Sequence, residues 1–170
     1  MFEKGDYIVY GHTGICQVLD VTTMDMDGIP KDRLYYVLRP EGETEGKIFT
    51  PVDNVKLVIR KIMSQEEAEE LLDSIPEIEA IDVPEDKLRE EKYKACIKSC
   101  DCRELVRIIK TIYVRKKDRV SLGKKVTATD ERYLKLAEEN LYTELSKLLG
   151  VPKNKMEAYI TTRVEKLQTA

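Results

Sequence analysis

Tyr7-Ile8-Val9-Tyr10-Gly11-His12-Thr13-Gly14-Ile15-Cys16-Gln17-Val18 reads as two β-prone runs separated by a turn with a glycine at each end. Aliphatic and aromatic side chains suit a pleated, half-buried surface, and glycines suit a tight reversal. Working outward, Ile15 to Thr23 carries the second run towards Asp27-Gly28, a strong hairpin signal. Leu34-Tyr35-Tyr36-Val37-Leu38 is a third run. The loop Glu41-Gly42-Glu43-Thr44-Glu45-Gly46 leads to Lys47-Ile48-Phe49-Thr50, which Pro51 stops, and Val55 to Ile59 is the fifth run. No helical period interrupts them. Five short strands within residues 1–60 predict a small twisted barrel or half-barrel of the Tudor/SH3-like size.

Beyond Lys61 the apolar period becomes helical. Ser64-Gln65-Glu66-Glu67 is a capping box ahead of Ala68, Leu71 and Leu72. Residues 75–84 contain two prolines and an acidic bias, so 61–86 is expected to be a short capped helix and an acidic connector. A highly charged helix is expected over 87–99. Asp101-Cys102-Arg103-Glu104 repeats the capping pattern before Leu105, Ile108, Ile109 and Ile112, spaced i, i+3, i+4, i+7. Thr129 or Asp130 is expected to open a long helix through Leu134, Ala137, Leu141, Leu145 and Leu148, closed by Gly150. Met156, Ile160, Val164 and Leu167 mark a last helix. The expected class is α+β in two modules: a five-stranded barrel over 1–60 and a compact all-helical bundle over 87–170.

The charge divides along the same line. Residues 1–60 carry 7 Lys+Arg against 10 Asp+Glu, and residues 61–86 carry 1 against 10. Residues 87–170 carry 21 against 12, a net of +9 inside a chain whose total is −3. A near-neutral total therefore hides a positive module, whose field attracts polyanions. Lys87, Arg89, Lys92, Lys94 and Lys98 lie along one helix; Arg103, Arg107 and Lys110 share a face of the next. Arg115-Lys116-Lys117-Asp118-Arg119 and Lys124-Lys125 follow. Basic residues at this density can neutralise several phosphates, and the alternative is a solvated face balanced by the module's own acids.

Catalytic constellations are sparse. His12 is the only histidine and sits in a turn between glycines, which removes most histidine-based acid/base and nucleophilic schemes. No G-x-x-x-x-G-K-[ST] loop is present, so no nucleotide motor is encoded, and no enzymatic activity or cofactor is expected. Of the four cysteines, Cys96, Cys100 and Cys102 have C-x3-C-x-C spacing, which is not that of a zinc knuckle. They read as packing thiols in a reducing compartment, with a metal or redox site as the alternative. No apolar run approaches the ~20 residues that span a bilayer, and Met1-Phe2-Glu3-Lys4-Gly5-Asp6 lacks signal-peptide order, so a cytoplasmic protein without membrane contact is expected.

Phe2-Glu3-Lys4-Gly5-Asp6-Tyr7-Ile8-Val9-Tyr10, continuing through Gly14 to Val18, resembles the start of the CarD/CdnL family of bacterial transcription regulators. Lys47-Ile48-Phe49-Thr50-Pro51-Val52-Asp53-Asn54 resembles that domain's penultimate strand and following turn. Tyr93-Lys94-Ala95 resembles a stretch of the family's DNA-binding helix, and Arg132-Tyr133-Leu134 sits in the matching long helix. The resemblance implies that the N-terminal domain docks a sheet edge on the RNA polymerase β subunit, here through Ile48, Phe49 and Thr50. It implies that the helical domain contacts promoter DNA at the upstream edge of the melted bubble, stabilising the open complex. Lys87, Arg89, Lys92, Lys94, Arg115, Lys116, Lys117 and Arg119 are the candidate DNA-contacting residues, meeting chiefly the phosphate backbone. A monomer is expected. Phe49 could instead fill the barrel core.

One departure stands out. Many relatives carry a wedge tryptophan four residues before the tyrosine matched by Tyr93; here that position is Arg89, and the chain has no tryptophan. Arg89 could enter a narrow minor groove or stack on a base. Tyr93 could substitute for the wedge or simply pack in the core. A different class of function also fits the charge map: an adaptor that binds polymerase or another protein and whose basic half meets an acidic protein.

Overall fold

Two glycines make the first reversal possible. In the computed structural model, which describes residues 1–169 apart from the His12 side chain, Gly11 and Gly14 have φ of 48° and 90°, at the start and just past the end of a 3-10 turn, Gly11–Thr13. Other residues rarely adopt such angles, and a Cβ on Gly11 would stand 3.3 Å from Leu57 Cδ2. The turn joins β1 (Tyr7–Tyr10) to β2 (Gly14–Thr23), paired antiparallel with Ile8 opposite Cys16. β3 (Leu34–Pro40), β4 (Ile48–Pro51) and β5 (Ile59–Lys61) complete a five-stranded antiparallel sheet in the order β4-β3-β2-β1-β5. The β2–β3 ladder shifts register between Val18 and Asp20, a bulge that bends the long strand.

Alternate positions of these strands bury Ile8, Cys16, Val18, Tyr36 and Leu38 as one cluster, with Phe2, Tyr10, Val21, Ile48, Val52 and Ile59 packed around it. The Phe2 backbone N–H donates to the Tyr36 hydroxyl at 3.0 Å, and the two rings lie 5.6 Å apart, tying the N-terminus onto the sheet. This unit spans Met1–Ile62.

Two expectations change here. The sheet is open: β4 and β5 are its edges, and at four and three residues they offer few backbone groups with which to close a barrel. The fifth strand also starts later than expected. Val55 is 94% exposed, because Asn54 Oδ1 accepts the Lys56 N–H at 2.8 Å and curls the chain into a side-chain-stabilised turn before Ile59.

The second unit, Met63–Ala170, is helical. α1 (Gln65–Ser74) opens with the expected reciprocal capping box between Ser64 and Glu67. After 3-10 turns at Ile75–Glu77 and Asp86–Leu88 come α2 (Arg89–Ser99) and α3 (Cys102–Ser121), the latter capped by Asp101. α4 (Ala128–Leu149) ends at left-handed Gly150, and α5 (Lys153–Thr169) follows. α4 begins earlier than expected. Thr127 is its cap, its hydroxyl accepting the Asp130 N–H at 3.1 Å, which leaves the Asp130 carboxylate available to the core.

Residues 61–86 do more than connect. Ala68, Leu71, Leu72, Ile75, Ile78 and Ile81 belong to the same buried cluster as Tyr93, Ile108, Ile112, Leu141, Leu145 and Met156. The stretch is strapped to α3 by polar bonds: Ile81 N–H donates to Thr111 Oγ1 at 2.8 Å, and Lys110 Nζ donates to the Ile78 carbonyl at 2.6 Å. On α1, Glu69 and Asp73 both bind Arg163 of α5, the Asp73 contact at 2.8 Å. The acidic bias of this segment is thus partly consumed within the helical unit.

Two carboxylates are buried in α4. Glu144, 2% exposed, accepts the Met63 N–H at 2.9 Å and the Cys102 thiol at 3.4 Å. Asp130, 1% exposed, accepts the Tyr93 hydroxyl at 3.1 Å and Arg115 Nε at 2.8 Å. Removing one partner of a buried charged pair strands the other in low dielectric, at about 3–5 kcal/mol. Asp130→Ala is accordingly expected to lower the helical unit's unfolding free energy by about that amount in urea titration followed by circular dichroism. Asp130→Asn, which keeps an acceptor for Tyr93, should cost less.

Candidate functional site

The three residues expected at a protein-binding edge do lie on an edge strand, β4. Its inner side pairs with β3, setting Ile48 opposite Leu38, Phe49 opposite Val37 and Thr50 opposite Tyr36. Strand alternation then sorts the side chains. Thr50 is 1% exposed and accepts Asn54 Nδ2 at 2.9 Å, and Ile48 packs on the sheet's core. Phe49 faces the other way, 48% exposed, so it is not the core filler that the sequence left open. The turn after β4 adds exposed Val55, which sequence reasoning placed inside a strand; the Asp53-Asn54 pair was the signal for a turn there. Beside Phe49's neighbour Pro51, Arg33 reaches Asp53 at 3.4 Å and lies 5.6 Å from the centre of the Tyr35 ring. The edge therefore offers a strand without a neighbouring strand on its outer side, with one large apolar side chain on it, the arrangement that strand addition uses.

The basic residues sort less evenly. The network of Tyr93, Asp130 and Arg115 brings together the first half of α2, the last half of α3 and the start of α4. Asp86, at the approach to α2, binds Arg89 at 2.7 Å. Hydrogen bonding and charge from Arg89, with a further contribution from Arg115, hold the Asp86 carboxyl below its ordinary range. Lys87, Arg89, Arg115, Lys116, Lys117 and Arg119 thus gather at one end of the helical unit, joined by Arg132, which binds Glu90 at 2.5 Å and lies over the Tyr133 ring.

Within that gathering, several cations are already engaged. Arg89 is only 14% exposed, and Arg115 bonds to buried Asp130. Arg119 Nε donates to the Lys125 carbonyl at 2.7 Å and closes the turn between α3 and α4. Lys92 Nζ donates to the Asp82 carbonyl at 2.6 Å. Lys87 and Lys94 have only loose partners, Glu85 at 3.8 Å and Glu90 at 3.9 Å, and exposed pairs of this kind contribute ~0–1 kcal/mol. Lys116 and Lys117 are exposed. Tyr93 is fully buried, and burial, reinforced by Asp130, pushes its phenol above the ordinary range; it packs 5.4 Å from the Tyr133 ring instead of facing solvent. The residues that the sequence did not single out are Val120 and Leu122, 58% and 71% exposed beside these lysines. Val120 keeps the helical spacing, eight residues after Ile112, and Leu122 lies just past α3, so the apolar pattern gave no signal of their exposure.

The cysteines are set into packing. Burial and Glu43 push the Cys16 thiol up to about 11, and burial with a hydrogen bond to Glu104 pushes Cys96 up to about 12. Cys102 is buried, whereas Cys100, in left-handed geometry at φ 55°, is only half-buried. Among the described residues, no group of three or more His, Cys, Asp and Glu side chains is placed to hold a metal ion. Among the described residues, no helix is long and apolar enough to cross a membrane. Because thiolate is the reacting form, a colorimetric disulfide reagent at pH 8 should modify Cys100 alone in the native protein. The remaining three thiols should react only after denaturation, and Cys100→Ser should abolish the native reaction.

Comparison with known proteins bears on the strand unit. Residues 2–63 match the CarD-like/TRCF RID domain, a span that coincides with the sheet and ends where the helical unit begins. No curated protein matches the chain. The strand unit is thus similar to the CarD-like/TRCF RID domain, and the helical unit lies outside the match.

Proposed function

We propose that this protein is a transcription factor that docks on the RNA polymerase β subunit through the β4 edge and contacts promoter DNA through the basic end of its helical unit. In this reading the strand unit is Tudor-like, and the joint contact at the upstream edge of the bubble lengthens the life of the open complex. The observation that carries the docking step is Phe49, half exposed on an edge strand inside a CarD-like/TRCF RID domain. Main-chain pairing supplies affinity there, and alternate side chains supply specificity. DNA contact is supported by the net +9 of residues 87–170 and by the outward lysines Lys87, Lys94, Lys116 and Lys117. Phosphate contacts position a protein without reading bases. With Arg89 held by Asp86 and Tyr93 buried, neither side chain offers an open ring or guanidinium plane to a base step, so binding is electrostatic and weak without polymerase.

Phe49→Glu in the full chain should retain the native circular dichroism spectrum and DNA binding while losing more than tenfold in affinity for the β subunit. A folded variant that still captures polymerase at full strength overturns the docking assignment.

For DNA, neutralising ~3 to 5 phosphates gives a slope of log K against log salt of roughly −3 to −4.5. Lys116→Glu with Lys117→Glu should weaken binding alike on unrelated sequences, reduce that slope by about 2, and shorten the open-complex lifetime with polymerase affinity unchanged. Unaltered DNA binding would mean that the basic face is only solvated. Capture of an acidic protein through the same lysines would then favour the adaptor reading.

A further inference from the structure

A concave surface of the helical unit is lined by none of the residues assigned to those contacts. α3 and α5 stand apart over a floor from α4, leaving a cavity of about 320 Å³. Val106, Ile109 and Tyr113 form one wall, Ile160 and Val164 the other, and Leu141 and Tyr142 the floor. This is the low end of the size range of small-molecule sites, which are apolar with a few placed polar groups.

Its polar lining includes two carboxylates, Glu157 and Glu165, and one cation, Lys110. Tyr113 donates its hydroxyl to Glu157 Oε1 at 2.9 Å, and Tyr142 is hydrogen-bonded both to Tyr113 and to Glu138. Glu165 stands further along the α5 rim. The cation of the opposite rim, Lys110, has its ammonium on the Ile78 carbonyl at 2.6 Å. A module that is positive overall therefore presents a locally negative groove. Burial, with the charge of Glu157, raises the Glu138 carboxyl above its ordinary range, and Lys116 offsets this only in part. Burial likewise raises both tyrosine hydroxyls. The Glu157 carboxylate, with Glu138 nearby, thus stands beside two tyrosine rings, and tyrosine rings beside carboxylates suit an ammonium head.

We propose that the groove between α3 and α5 binds a small amphiphilic organic cation, its apolar body on Ile109, Leu141, Ile160 and Val164 and its ammonium head at Glu157 between Tyr113 and Tyr142. The choice of a cation follows from charge complementarity, and the choice of a small ligand from the cavity's volume and its aromatic, hydrogen-bonded end. The groove borders the lysine-rich end, since Lys116 acts on Glu138, but its lining contains none of the candidate DNA-contacting residues, and it stands whether or not they act as proposed.

The test uses the full chain labelled at isoleucine methyls, titrated with n-octylammonium or with octane-1-sulfonate, each kept below its micelle threshold. Octylammonium should give saturable shifts at Ile75, Ile109 and Ile160 and none at Ile8 or Ile15 of the strand unit. The sulfonate, with the same tail and the opposite charge, should bind at least tenfold more weakly. Glu157→Gln should weaken octylammonium about tenfold, the loss of one charged hydrogen bond, without altering the sulfonate. Val164→Trp, which fills the groove, should abolish binding while thermal melting stays cooperative; if it fails to fold, Ile160→Phe serves as the milder filler. Equal binding of the two amphiphiles, shifts spread over both units, or an unchanged titration in Glu157→Gln would each overturn the proposal.

Discussion

The carboxylate of Asp130 is the point on which the helical unit converges. It lies on the first turn of α4, 1% exposed, and takes a hydroxyl from α2 and a guanidinium from α3. A charge in that position is tolerable only because both its oxygens are engaged, and the same requirement fixes how the three helices meet. Thr127 makes the arrangement possible: by capping the helix it takes the Asp130 N–H and leaves the side chain free to turn inward. At the far end of α4, Glu144 performs the corresponding task for Met63 and Cys102, joining the entry of the helical unit to the start of α3. Apolar burial drives the association of these helices, and the two carboxylates select one register for it.

That constraint also decides what the basic residues can do. A cation used inside the unit is a cation lost to a polyanion. Arg115 is committed to Asp130, Arg89 to Asp86, Arg119 to a carbonyl and Lys92 to another. The net charge still contributes a long-range field, which depends on the sum and not on the pairing. In the proposed reading, contact at short range falls instead to the exposed lysines, whose flexible stems suit a phosphate backbone more than a base edge. Field and contact would then be carried by partly different residues of the same surface.

In the strand unit the governing fact is an unclosed edge. Exposed edges invite pairing with other chains, and proteins usually shorten or charge them. β4 is short but carries Phe49 outward, so the protection of a charge is absent on an edge within the span of the CarD-like/TRCF RID domain match. β5, the other edge, ends in Arg60-Lys61 and has the protection that β4 lacks.

Residues that act through local geometry were legible from the chain alone. The glycine-bounded turn between β1 and β2, the capping box at Ser64, the Asp101 cap and the closure at Gly150 each depend on neighbours within four residues, and sequence order specifies those. The same holds for the change of apolar period near residue 61 and for the charge division between the halves, which are sums along the chain. Which strand is an edge, whether Phe49 points in or out, and which arginines turn inward depend on partners 15 to 42 residues away, such as Arg115 with Asp130 and Cys102 with Glu144. Side-chain identity says that an arginine can pair; only packing says with which carboxylate, because burial makes one pairing obligatory and leaves the rest to solvent. Hence Lys116 and Arg115, adjacent and equally basic in the sequence, end as an exposed surface charge and a core strut.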